Sequence, residues 1–93
     1  MTARGWGNIY IGAKIARELG ELKTAADWKK RLLLPDEYHI DRVQFDAAYD
    51  RWDIRVESDT IPVSLHGFEV VPWYVKEDGV AKLQSLKLHE KTS

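Results

Sequence analysis

The spacing of apolar residues changes along the chain, and the change divides it. In "GWGNIYIG" (Gly5 to Gly12), Ile9 and Ile11 alternate with Asn8 and Tyr10, which predicts an extended arm or short strand ending at Gly12. From Ala13 to Pro35 the period is helical. Ile15, Leu19, Leu22 and Ala26 recur at steps of four, three and four, the spacing of one buried stripe. Gly20 is unfavourable inside a helix and favourable just past its end. Thr24 with Asp27 has the form of a capping pair that starts a second helix. The reading is two short helices, about 12–19 and 25–33, with one longer helix as the alternative. Pro35 closes the region because it disfavours helical geometry at Leu34.

From Tyr38 the period falls to two. "DRVQF" sets Val43 and Phe45 on one face and Arg42 and Gln44 on the other. "RWDIRVE" alternates more cleanly, with Trp52, Ile54 and Val56 against Arg51, Asp53, Arg55 and Glu57. The intervening "DAAYD" has the length of a hairpin loop. Ile61 to Leu65 predicts a third strand and Phe68 to Val75 a fourth, with Pro72 placing it at an edge or a bulge. "KEDG" is a turn. Beyond it Val80 to Leu88 reads as a closing strand, although Val80, Leu83 and Leu86 would also suit a helix. The expected architecture is α+β: one or two N-terminal helices packed on a three- to five-stranded antiparallel sheet. A single domain spans 1–93, with an arm or short strand at 1–12, helix at 13–34 and mainly antiparallel strands at 38–88. Its expected core is Ile15, Leu19, Leu22, Leu32, Val43, Phe45, Trp52, Ile54, Val56 and Val70.

Composition narrows this picture. Ninety-three residues are one domain near the lower end of what a single core stabilises, and 44% apolar content is too high for a disordered chain. The four tryptophans are many for this length, and each can bury roughly 200 Å2. The chain has no cysteine, which excludes disulfides and thiolate metal sites and fits a cytoplasmic protein. No secretory signal or membrane-spanning apolar run is visible, and the Met start and polar "HEKTS" end read as those of a complete small protein. Charge is unevenly placed. Residues 1–34 carry a net +4 and residues 35–93 a net −5, a polarity that can steer partners or pair copies of the chain as a homodimer.

Candidate chemistry is sparse. "QFDAAYDRWDIRVESD" gathers Asp46, Asp50, Asp53, Glu57 and Asp59, but alternation interleaves Asp53 and Glu57 with Arg51 and Arg55, as a solvated sheet face requires. A catalytic pair would need carboxylates converging in a cleft without neutralising arginines. Asp46 and Asp50 fall short of the oxygen ligands that calcium takes. His39, His66 and His89 are too scattered for a helical ligand pair. No serine sits in a nucleophile elbow, and "GWG" lacks the third glycine of a dinucleotide loop. The expectation is a protein that is not an enzyme and carries no cofactor or metal.

Two resemblances bear on function. "IARELGELKTAADWKKRL" resembles a helix-turn-helix, which would set Lys23, Thr24, Lys29, Lys30 and Arg31 near DNA. Its turn is a residue short, and Asp27 would face the groove. "LPDEYHIDRVQFD…YDRWDIRVESD", Leu34 to Ser58, resembles a stretch in small uncharacterised proteins of bacteriophages and mobile elements. That resemblance implies a phage accessory protein of the host cytoplasm that binds a host or phage protein, host defence systems included. The leading expectation is therefore protein binding, with Trp6, Trp73, Tyr74, Asp53 and Glu57 as contact candidates, because aromatic anchors are typical of binding hot spots. The alternative is a DNA-binding regulator using residues 13–33.

Overall fold

The glycine-rich segment at the N-terminus forms the middle of the molecule. In the computed structural model, which describes residues 4–20 and 22–92, strand β1 (Gly5–Gly12) is the central strand of five. With β2 (His39–Asp46), β3 (Arg51–Ser58), β4 (Phe68–Glu77) and β5 (Val80–Glu90) it makes one sheet, ordered β2-β3-β1-β4-β5. β3 runs antiparallel along all of β1, from Gly5 opposite Ser58 to Gly12 opposite Arg51. β2 and β3 form one antiparallel hairpin and β4 and β5 another.

The sheet is mixed rather than antiparallel throughout. β4 pairs with β1 in parallel, at Gly7 with Phe68 and Asn8 with Glu69. Ser58 ends beside Gly5, so a chain that crosses from there to the far side of β1 must set out in the direction of β1. The crossing is made by residues 59–67, where a third strand was expected at Ile61 to Leu65. Pro62 has no N–H to give a ladder, and Ile61 is buried as a plug instead of pairing. The crossing also accounts for "GWG". A Cβ on Gly5 would come within 2.0 Å of the Ile61 carbonyl oxygen, and one on Gly7 within 2.6 Å of Val70 Cγ2.

Two separate helices pack on one face of the sheet. α1 (Ala13–Glu18) ends with Gly20 at φ 98°, the left-handed position that glycine favours. α2 (Ala25–Arg31) opens with the expected capping box. The Asp27 amide donates to Thr24 Oγ1 at 3.2 Å, and the Thr24 amide returns a bond to Asp27 Oδ2 at 3.0 Å. α2 closes with the amides of Leu33 and Leu34 donating to the carbonyls of Lys30 and Lys29, at 3.2 and 3.1 Å. This is a Schellman ending whose left-handed residue is Leu33, at φ 57°, where glycine is usual.

Between helices and sheet lie Ile9, Trp28, Leu32, Leu34, Tyr38, Ile54, Val56, Ile61, Phe68 and Val70, all buried. Four of the expected core residues are among them: Leu32, Ile54, Val56 and Val70. Leu19, Leu22, Val43 and Trp52 are half-buried against the same cluster. Two expectations are corrected. Ile15 is 52% exposed, because α1 turns Ala13 and Ala16 towards the sheet and so rotates the apolar stripe away. Phe45 is 41% exposed, on edge strand β2, with its ring edge-on to Trp52 at 5.1 Å. Trp28 fills the space under α2 and meets Trp52 at 5.4 Å between ring centroids.

Candidate functional site

The sheet has one covered face and one open face, and each presents a distinct surface. On the open face, residues opposite one another in register point the same way. Trp6 lies opposite Glu57, Asn8 opposite Arg55, and Tyr10 opposite Asp53. These side chains interlock. The Arg55 guanidinium lies 4.2 Å from the Trp6 ring centroid, and that of Arg51 sits between Tyr10 at 4.0 Å and Tyr49 at 4.6 Å. Lys91 Nζ stands between Trp6 and Tyr10, at 5.3 and 5.5 Å, completing an alternation of cations and rings across β1. Beneath it Asn8 is buried. Its amide donates to Asp53 Oδ1 at 2.6 Å and its oxygen accepts from Lys91 Nζ. Arg55 also pairs with Asp41 at 3.5 Å. Each ring and most charges here already have intramolecular partners, so this face ties Lys91, just beyond β5, to the central strand.

The second surface is on the helix side, at the far end of the β4–β5 hairpin. Ile11, Ile15, Leu19, Leu32, Leu33, Tyr74 and Ala81 line an apolar groove of about 170 Å3, with Arg31 at its margin. A bulge between Trp73 and Tyr74 re-aims the strand there. It sends Tyr74 towards α2, where its hydroxyl donates to the Leu32 carbonyl at 2.8 Å. Loss of solvent around that hydroxyl pushes the phenol up to about 12. Ile15, Leu33 and Tyr74 remain exposed here, while Val75 and Val80 are exposed on the other face of the hairpin.

The contact candidates are thus separated. Trp6, Asp53 and Glu57 meet on the open face. Trp73 is exposed farther along β4, beside a shallow depression lined by Gln84, Ser85 and Lys87. Tyr74 alone belongs to the groove. The DNA-contact candidates surround α2: Thr24 is occupied as its cap, Lys29 Nζ donates to the Asp36 carbonyl at 3.2 Å, and Lys30 and Arg31 are exposed. Lys23 precedes the cap, its amide donating to Asp27 Oδ2 at 3.0 Å. These backbone bonds hold the Asp27 carboxyl below the usual carboxylate range. A helix-turn-helix braces its recognition helix with the first helix. Here α1 and α2 each pack on the sheet without close backbone approach to one another, although their side chains adjoin at Gly20 and Arg31.

Reading from the sequence missed the groove residues Ile15 and Leu33. The run "RLLLP" held the one available signal. A Schellman ending before Pro35 needs a left-handed residue within that leucine run. Among the described residues no three His, Asp or Glu side chains are grouped to hold a metal ion, and no helix is long and apolar enough to cross a membrane. No family model, no curated protein and no solved structure matches this chain.

Proposed function

We propose that the protein is a non-enzymatic protein-binding module whose contact surface is the groove between the α-helices and the outer half of the β4–β5 hairpin. The observation that carries this reading is the presence there of three large exposed apolar side chains, Ile15, Leu33 and Tyr74, around a concave apolar floor. Contiguous exposed apolar surface on a small domain marks an interaction site. Trp73, Trp6, Asp53 and Glu57 then lie outside the contact or at its periphery. The resemblance of residues 34–58 to phage and mobile-element proteins adds the reading of an accessory protein in the host cytoplasm that blocks or redirects a host or phage component.

Affinity capture from a host lysate with the wild-type chain and with Ile15→Glu/Leu33→Glu tests the reading. The expected result is a captured protein that the double variant no longer retains, with both proteins equally folded. An identical captured set for the two would remove the groove as the contact surface. The alternative, DNA binding by residues 13–33, requires tight and steeply salt-dependent binding to duplex DNA that is lost on replacing Lys29, Lys30 and Arg31.

A further inference from the structure

We infer that the groove receives a short acidic amphipathic segment of another protein, an inference that rests on the protein-binding reading above. The floor of the groove is apolar, and its margin is cationic. Arg31 lines it directly, and Lys76 lies opposite the floor residue Ala81 on the same face of the hairpin. Among the described residues, no salt bridge uses Arg31 or Lys76, although Arg31 also attracts the Asp27 carboxylate one turn earlier on α2. The nearby Glu77 carboxylate is engaged by Lys82 at 3.2 Å, and Glu18 is the one acid within α1. A ligand that inserts apolar side chains and carries carboxylates beside them satisfies both the floor and the margin.

The conformation of Leu33 points the same way. α1 ends on Gly20, as a left-handed cap favours, whereas α2 ends on Leu33 in the same left-handed region. A leucine there strains the backbone, and 42% of the residue is still exposed, so packing within the chain is a poor reason for it. What the leucine does provide is an apolar wall for the groove.

The charge on the margin also selects among occupants. A second copy meeting this groove about a two-fold axis would face Arg31 and Lys76 with their own counterparts, and like charges oppose that pairing. Duplex DNA would meet the cations but leave the apolar floor unfilled. An anionic bilayer is met by a protruding apolar wedge, whereas this surface is concave.

The test is selection of binders from a surface-displayed library of random linear peptides, using the full chain as bait. The expected outcome is enrichment of peptides that combine acidic residues with apolar ones at helical spacing. Their binding should weaken about tenfold or more with Arg31→Glu/Lys76→Glu and also with Ile15→Glu/Leu33→Glu. Leu33→Gly, which suits the backbone there, serves as the side-chain deletion if the charged variants fail to fold. Enriched peptides that are neutral or basic, yet still depend on Ile15 and Leu33, overturn the acidic occupant and leave the binding surface standing. Competition for those residues by duplex DNA or by phosphatidylserine vesicles overturns it likewise, as does a dimer broken by Ile15→Glu. If no enriched peptide depends on Ile15 or Leu33, both the occupant and the groove reading fall.

Discussion

At the scale of single residues, Gly5 and Gly12 bracket β1 and have opposite surroundings. Gly5 lies under the Ile61 and Pro62 main chain, while a Cβ on Gly12 would meet nothing within 4 Å. Main chain yields less readily than the end of a flexible side chain. Gly5→Ala is therefore expected to cost about 1–3 kcal/mol in urea unfolding, the range for an overpacked interior, and Gly12→Ala to lie within about 0.5 kcal/mol of wild type. Equal effects at the two sites would show that close packing by residues 61–62 is not what requires glycine. Tyr74 carries a second expectation. Burial raises its folded phenol to about 12 against an ordinary value of 10.0. The stability that comes from keeping it neutral is then complete below pH 10 and lost as pH rises from 10 towards 12. Ultraviolet titration should show one tyrosine ionising late, and Tyr74→Phe should remove both that phase and its share of the alkaline destabilisation.

At the scale of elements, the helices were the most legible part of the sequence. Gly20, Thr24 and Asp27 act on backbone groups within four residues of themselves, so their roles could be read without knowing what packs nearby. Thr24→Ala should cost about 1 kcal/mol, through loss of the bond from the Asp27 amide. The same cap predicts an acid limit. The Asp27 carboxyl is lowered mainly by the amides of Lys23 and Thr24. Its stabilising effect is thus present above the ordinary carboxylate value of 3.8 and disappears as pH falls through the lowered one. Helical circular dichroism of wild type and Asp27→Asn should converge as pH drops below that value. A constant difference between them would place the contribution of Asp27 elsewhere. The hairpins were legible for the same local reason: Asp78 and Gly79, both at positive φ, form the tight turn that "KEDG" announced. Ile61 to Leu65 misled because its apolar content belongs to a plug, and period alone does not distinguish a plug from a strand.

At the scale of the whole molecule, the chain depends on its first strand. β1 joins the β2–β3 hairpin to the β4–β5 hairpin, and the parallel pairing at Gly7 and Asn8 is the seam. Removing residues 1–12 should leave a protein without a cooperative thermal transition, since the two hairpins would lose their shared partner and Ile9 would leave the core. A sharp transition in that truncation would mean the hairpins pack on each other unaided. Nothing in "GWGNIYIG" marks it as central, because three glycines and three polar or amphipathic residues give a weak strand signal. Its place depends on β3, β4 and Lys91, all distant in the sequence. Legible in the sequence were the α+β class, both helix ends, the β2–β3 hairpin and the turn at "KEDG", with residues 80–88 open between strand and helix. Each of those follows from period or from contacts within a few residues. The packed structure placed β1 in the middle, made one pair parallel and turned Ile15 and Leu33 outward. It also corrected the expected solvated face, since Asp53 bonds Asn8 and the arginines lie half-buried against Trp6, Tyr10 and Tyr49. Burial is a relation between distant segments, and the rotation of α1 over the sheet is set by what it rests on.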